Sequence, residues 1–374
     1  MRIAQLVPKM ETGGLEQGAL DIACALVNAG HDSLLICETG RLSRRAQLHG
    51  VEIIEMPMAS KNPYIMMRSA RILRNMIAER GIDIVHARSR APAWVAKWAT
   101  KDTSAKFLST FHGTYNFTNK LKKAYNAVML SGDATIAISD FIATHILREY
   151  GTGWHKIHVI ARGINLEHFS APQVTPERLI RLHNDYRIQD GQKVVILPAR
   201  LTRWKGQMLL VAAMQQLPDP KPRCLLVGSA QGRDDYVYEL EKYIEKTDLQ
   251  PHVQIVEDCR DIPALYKIAS VVVSASTEPE AFGRVVAEAQ AMGRLIIAPD
   301  HGGATTQIRH GENGLLFRPG DAKSLAHMLR YALNLDDVAA AALCERGMCD
   351  AHKSFDAQRM CMQTLQLYEE LLRK

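Results

Sequence analysis

Two carboxylates with seven residues between them, Glu280 and Glu288, bracket the segment Glu280-Ala-Phe-Gly-Arg-Val-Val-Ala-Glu288. The apolar run 271–273 ahead of it reads as a buried parallel strand, and 285–292 reads as a helix that starts straight after Phe282-Gly283. A helix N-terminus carries unpaired N–H groups and partial positive charge, so this turn suits a phosphate or a polarised hydroxyl. Gly283 lets a ligand approach the backbone closely. Glu280 and Glu288 fall on nearly one face two helical turns apart, where each can meet one end of an elongated ligand. The spacing alone equally fits a helix N-terminal acid and a solvated helix residue.

A second constellation is cationic. The apolar run 194–197 leads into Pro198-Ala-Arg200-Leu-Thr-Arg-Trp-Lys205-Gly206, with a helix from about 207. An Arg fork and a Lys point charge beside a helix start can clamp a diphosphate, so Arg200 and Lys205 are candidates, although basic loop residues are often merely solvated. Gly13-Gly14 joins the first strand to the first helix and permits close backbone approach, but it matches the dinucleotide fingerprint poorly. His112 ends the run 106–111, a place where an imidazole is ordinarily packed or at the surface.

These groups need a frame, and the hydrophobic pattern supplies one. Apolar runs at 3–7, 33–37, 51–56, 82–86, 106–111, 134–138 and 157–160 alternate with amphipathic helical stretches. The alternation restarts with runs at 194–197, 224–227, 253–256, 271–273, 295–298 and 315–317. Such alternation predicts an α/β chain of two Rossmann-like, doubly wound domains, with a ligand beyond the strand carboxyl ends in the cleft where they face one another. The Ser- and Pro-bearing segment 165–175 reads as the linker. The expected domains are therefore 1–170 and 176–355, followed by a helical pattern over 356–374.

Composition narrows the class. With 374 residues, 47% hydrophobic and 23% charged, the chain can bury two cores and reads as an ordinary globular protein. No apolar run reaches the ~18 residues of a membrane span, and the N-terminal apolar stretch is too short for a signal peptide. Seven cysteines without a CxxC pair point to a reducing cytoplasm, and against a disulfide framework or a zinc site. Asp234-Asp235, followed by Tyr-Val-Tyr-Glu-Leu, reads as a helix start rather than a metal-binding pair. A net charge of +6 fits an acidic ligand or an anionic membrane surface.

The Glu-(x)7-Glu segment with Phe-Gly after its first acid resembles the signature of the family 4 retaining glycosyltransferases. The likeness covers both domains, through Phe111-His-Gly-Thr-Tyr115, Arg162-Gly-Ile-Asn165 and Pro279-Glu-Ala-Phe-Gly-Arg-Val285, and is similar to bacterial lipopolysaccharide core and other surface-polysaccharide glycosyltransferases. It implies a GT-B architecture whose C-terminal helix crosses back to the first domain. It places Glu280 on the donor sugar, Glu288 on the nucleotide ribose, and Arg200 and Lys205 on the donor diphosphate. His112 would meet a sugar hydroxyl or transition-state charge, and Gly14 would face the sugar and phosphate. Phe282 and Gly283 would lie along the donor, with Gly228, Val256, Asp258 and Arg260 about the nucleotide. Where the family commonly has an acid three residues after Gly302-Gly303, this chain has Thr306.

The implied partners are a UDP- or GDP-linked sugar and a glycolipid or oligosaccharide acceptor, with no nucleic acid, metal or other cofactor. Clustered cations and helix N–H groups would replace a metal at the leaving phosphate, and the implied route is same-face attack. The basic stretch 64–80 and the aromatic and lysine stretch 115–125 read either as acceptor or membrane contacts at the inner face of the cell membrane, or as ordinary helix surface. A sugar-nucleotide epimerase of the same fold and a noncatalytic sugar-nucleotide-binding protein are the alternatives.

Overall fold

The computed structural model describes residues 1–11, 13–151, 154–257 and 259–373. Contacts divide the chain into two compact units, Met1–Gly163 together with Ala357–Lys374, and Ile164–Asp356.

In the first unit seven strands form one parallel sheet: β1 (Arg2–Lys9), β2 (Asp32–Glu38), β3 (Glu52–Glu55), β4 (Ile84–Ala87), β5 (Lys106–Phe111), β6 (Ala134–Ala137) and β7 (Ile157–Val159). Their order is β3-β2-β1-β4-β5-β6-β7. In the second unit β8 (Val194–Pro198), β9 (Arg223–Val227), β10 (Val253–Val256), β11 (Val271–Val273), β12 (Leu295–Pro299) and β13 (Leu315–Phe317) form another, ordered β10-β9-β8-β11-β12-β13. Each apolar run that the sequence pattern marked as a strand is one. Helices connect successive strands of each parallel sheet, and inner strands such as β4, β8 and β11 are buried and read as continuous hydrophobic runs.

Each sheet reverses its winding once, between β1 and β4 and between β8 and β11. Loops leaving neighbouring strands diverge at such a point, opening the crevice that open α/β sheets use for ligands.

The C-terminal helix Ala357–Arg373 belongs to the first unit. Its Met360, Cys361, Leu367, Tyr368 and Leu371 share a core with Ile3, Ile22, Leu26, Ile84 and Leu108. The Tyr368 hydroxyl lies 2.7 Å from His86 Nδ1, and Thr110 Oγ1 lies 2.7 Å from Nε2, so both nitrogens of a fully buried imidazole are satisfied.

The unit boundary falls at Gly163, earlier than the segment 165–175 suggested. Ile164 N–H donates to the Phe355 carbonyl (2.8 Å), and Phe169 packs edge-on against Tyr266 (centroids 5.8 Å). The Ser- and Pro-bearing stretch is thus anchored within the second unit.

Candidate functional site

The β8/β11 reversal gathers most of the expected residues. Past β8 the chain turns through the short helical segment Arg203–Lys205 to Gly206, whose φ is +75°. A Cβ on Gly206 would stand 1.9 Å from the Ala275 carbonyl oxygen, so glycine alone lets this loop cross the end of β11. The crossing brings Lys205 Nζ to 2.7 Å from Glu280 Oε2, with side chains only 11% and 17% exposed. Lys205 also lies over the Trp204 ring at 4.3 Å.

Glu280 is fixed from other directions. Ser276 Oγ donates to its Oε1 at 2.5 Å, and Gly303 N–H donates to its backbone carbonyl at 2.7 Å. Gly302 lies so close that a Cβ there would meet the Glu280 backbone at 2.8 Å. Thr306, at the position where the family pattern has an acid, donates its hydroxyl to the Gly303 carbonyl (2.8 Å) and so holds this turn.

Arg200 stands apart from the lysine. It is exposed, and its side chain makes no ion pair among the described residues, whereas Arg203 is held by Glu239 and lies over Tyr236. The loop thus presents one open guanidinium and one lysine already matched with a carboxylate. Gly228 is a packing residue: a Cβ on it would lie 2.1 Å from the Ala199 carbonyl oxygen, just before Arg200.

Glu288 is neither solvated nor close-paired with Glu280. It lies within the helix Arg284–Ala291 and is 8% exposed. Its Oε2 accepts from the Tyr266 hydroxyl (2.8 Å) and its Oε1 is paired with Arg284 (2.8 Å). Burial and the adjacent carboxylate push the Tyr266 hydroxyl well above its ordinary pKa, which keeps it a donor. Gly283, with φ +86°, starts that helix and has no heavy atom nearer than 3.7 Å to where its Cβ would be.

The ring of Phe282 is buried against Phe355 (centroids 5.5 Å), which leaves its main chain as the part open to a ligand. Val256 is buried at the end of β10, Arg260 is exposed beyond it, and Asp258 lies outside the described residues.

In the first unit the ring nitrogens of His112 are buried and without a hydrogen-bond partner, although the residue as a whole is part-exposed. Burial, then Arg162 and Arg88, hold its pKa well below the usual imidazole range, so it is neutral at pH 7. His112, Arg88, Arg162 and Thr110 line one small cavity with Met360. Gly14 serves this group from below: a Cβ there would come within 2.8 Å of Arg162 Nη1. The close approach that the glycine pair permits is therefore to a guanidinium of the same unit.

Sequence reasoning missed Tyr266, Ser276 and Arg88, which stand in no recognisable spacing, and Arg284, whose i,i+4 spacing to Glu288 could have revealed the pair. Among the described residues no group of three or more His, Cys, Asp or Glu side chains converges as a metal site would require. No helix among them is long and apolar enough to cross a membrane. All seven cysteines are free.

Residues 12–168 match the family model described as Glycosyltransferase Family 4, and residues 180–345 match Glycosyl transferases group 1. A crystal structure of a glycosyltransferase from Rickettsia africae is similar over 100% of this chain and 99% of its own, at 36% identity and a TM-score of 0.94. Anabaena HepE in complex with UDP-glucose superposes with a TM-score of 0.86 at 23% identity, over 99% of this chain and 100% of its own. Spore coat protein SA of Bacillus subtilis is 24% identical over 96% of this chain and 95% of its own length.

Proposed function

Because the chain belongs to the family 4 glycosyltransferases and shares their GT-B fold, it is a glycosyltransferase, and we propose that it is a retaining, metal-independent hexosyltransferase. Its donor would be a UDP- or GDP-linked hexose, and its acceptor a glycolipid or polysaccharide in lipopolysaccharide core or other surface-polysaccharide synthesis. The observation that carries this reading is the Lys205–Glu280 contact at the β8/β11 reversal, with exposed Arg200 on the same loop. UDP comes first among donors to test because Anabaena HepE is described with UDP and with UDP-glucose.

In this reading Arg200 and Lys205 take the diphosphate, Glu280 holds a sugar hydroxyl and keeps Lys205 aimed, and Glu288 binds the ribose. Gly283 and the main chain of Phe282 admit the phosphate to the helix start, while Val256, Asp258 and Arg260 border the base. Gly14 and Gly228 shape the two loops, and neutral His112 accepts from or donates to the transferred sugar. The anomeric carbon–phosphate oxygen bond breaks, the acceptor oxygen bonds to that carbon on the same face, and the acceptor proton passes to the departing phosphate. Cations and N–H groups matched to that growing negative charge lower the barrier.

The enzyme would work in the cytoplasm at the inner face of the membrane. Along the helix Pro63–Arg80, Tyr64 and Met67 are 75% and 61% exposed beside Arg68 and Arg71, a combination suited to anionic headgroups. A panel of nucleotide sugars, scored by thermal stabilisation and nucleotide release, tests the proposal. UDP- or GDP-hexoses should stabilise the protein and turn over, and failure of all of them would overturn the reading.

A further inference from the structure

Immediately behind His112 lies a group of aromatic rings and cations that the donor chemistry does not use. Tyr115 sits in the left-handed region (φ +42°), with its hydroxyl bonded to the His112 main chain and its ring 5.0 Å from Phe111. The Arg90 guanidinium lies 4.7 Å from the Tyr115 ring centre, and its Nη1 donates to Asn126 Oδ1 (3.1 Å). Asn126 in turn donates to the Tyr115 carbonyl (2.7 Å). Lys123 Nζ lies 5.3 Å from the centre of Phe117 and 5.9 Å from that of Tyr150.

Stacking on a ring attracts a cation but leaves its charge uncompensated. Elsewhere in the chain cations meet carboxylates, as in Lys205–Glu280, Arg284–Glu288 and Arg178–Asp261. Among the described residues neither Arg90 nor Lys123 does so, and Glu149, a carboxylate whose field reaches Lys123, is itself held by Arg148 at 2.8 Å. Residues 112–126 contain three lysines and no acid. The wider stretch 61–123 has thirteen Lys and Arg against three Asp and Glu, a net +10 in a chain whose total is +6, so the remainder is net −4. A pyranose offers an apolar C–H face to aromatic rings, and a charged substituent on it would find these two cations.

We propose that Arg90, Tyr115, Phe117, Lys123 and Tyr150 receive the acceptor, and that the acceptor sugar is anionic, bearing a phosphate or a carboxylate. This rests on the proposed glycosyl transfer, because Tyr115 and Phe117 share a loop with His112, which that reading gives to the transferred sugar.

The test titrates the whole protein with glucose, glucose 6-phosphate and glucuronate by NMR, with UDP binding as a separate reading of the donor side. The wild type should prefer the anionic sugars by about tenfold, the worth of one charge-assisted contact, and the preference should weaken with salt. Arg90→Gln with Lys123→Gln should abolish the preference and leave UDP affinity unchanged. Lys123→Arg should retain the preference, which separates loss of charge from loss of fold. Equal binding of all three sugars, no binding of any, or an unchanged preference in the double variant would each overturn the proposal. So would a double variant that instead loses only its attachment to vesicles of anionic phospholipid. Failure of UDP to bind the wild type would count against the donor reading alone.

Discussion

Lys205 Nζ lies 2.7 Å from Glu280 Oε2, although the lysine follows β8 and the glutamate follows β11. Both are largely withdrawn from water, so each desolvated charge depends on the other. Removing one partner should therefore cost more than removing both. Lys205→Met or Glu280→Gln alone should destabilise the second unit by about 2–3 kcal/mol, and the double variant by less than either alone. Denaturant melts of the four proteins check this; additive losses would mean the two side chains do not interact.

Gly206→Ala should be among the most damaging single changes in the chain. It places a Cβ against the Ala275 carbonyl and forces an L-residue to φ +75°, at a cost of at least about 3 kcal/mol. Gly232→Ala, with φ +77° but no atom within 4 Å of its Cβ position, isolates the backbone part and should cost about 1 kcal/mol. Comparable melts for the two variants would show that the loop relaxes.

Acid should loosen the first unit. Burial, then Arg88 and His112, hold His86 well below its ordinary pKa, so it stays neutral in the folded chain while the unfolded chain takes up the proton near pH 6.5. Stability is therefore full above that pH and falls below it by up to about 1.4 kcal/mol per pH unit for this one site. His86→Gln should remove this one site's share of the slope between pH 6.5 and 5, leaving the shares of His112 and His145, which are also held below the usual imidazole range.

Tyr368→Phe removes the hydroxyl beside His86 Nδ1 and leaves a fully buried polar atom without its partner. A loss of about 1–3 kcal/mol is expected, seen as a lower melting temperature of the first unit. An unchanged melt would mean that the C-terminal helix is held by its apolar face alone.

The strands were legible because runs such as Val271-Val-Val273 and Leu295-Ile-Ile297 are buried on both faces and carry no polar interruption. The tail helix was legible for a similar reason, since Met360, Leu367, Tyr368 and Leu371 recur at helical spacing. What the sequence could not reveal is which groups meet across elements. Tyr266 reaches Glu288 from another helix, and Arg162 fills the space above Gly14 from a loop past β7. Phe282 carries the family signature in its letters, yet its ring faces Phe355, a contact more than seventy residues away in sequence that no local pattern shows.

In the proposed mechanism Lys205, matched with Glu280, stabilises the departing nucleotide diphosphate without a divalent ion. Nucleotide release from UDP- and GDP-hexoses by wild type and Lys205→Ala, each with and without a chelator, tests it most directly. Wild-type turnover should survive the chelator, and Lys205→Ala should lose on the order of a hundredfold in kcat, the worth of one well-aimed donor, while remaining folded. A folded Lys205→Ala protein with undiminished turnover, or wild-type activity that disappears with the chelator, would contradict it.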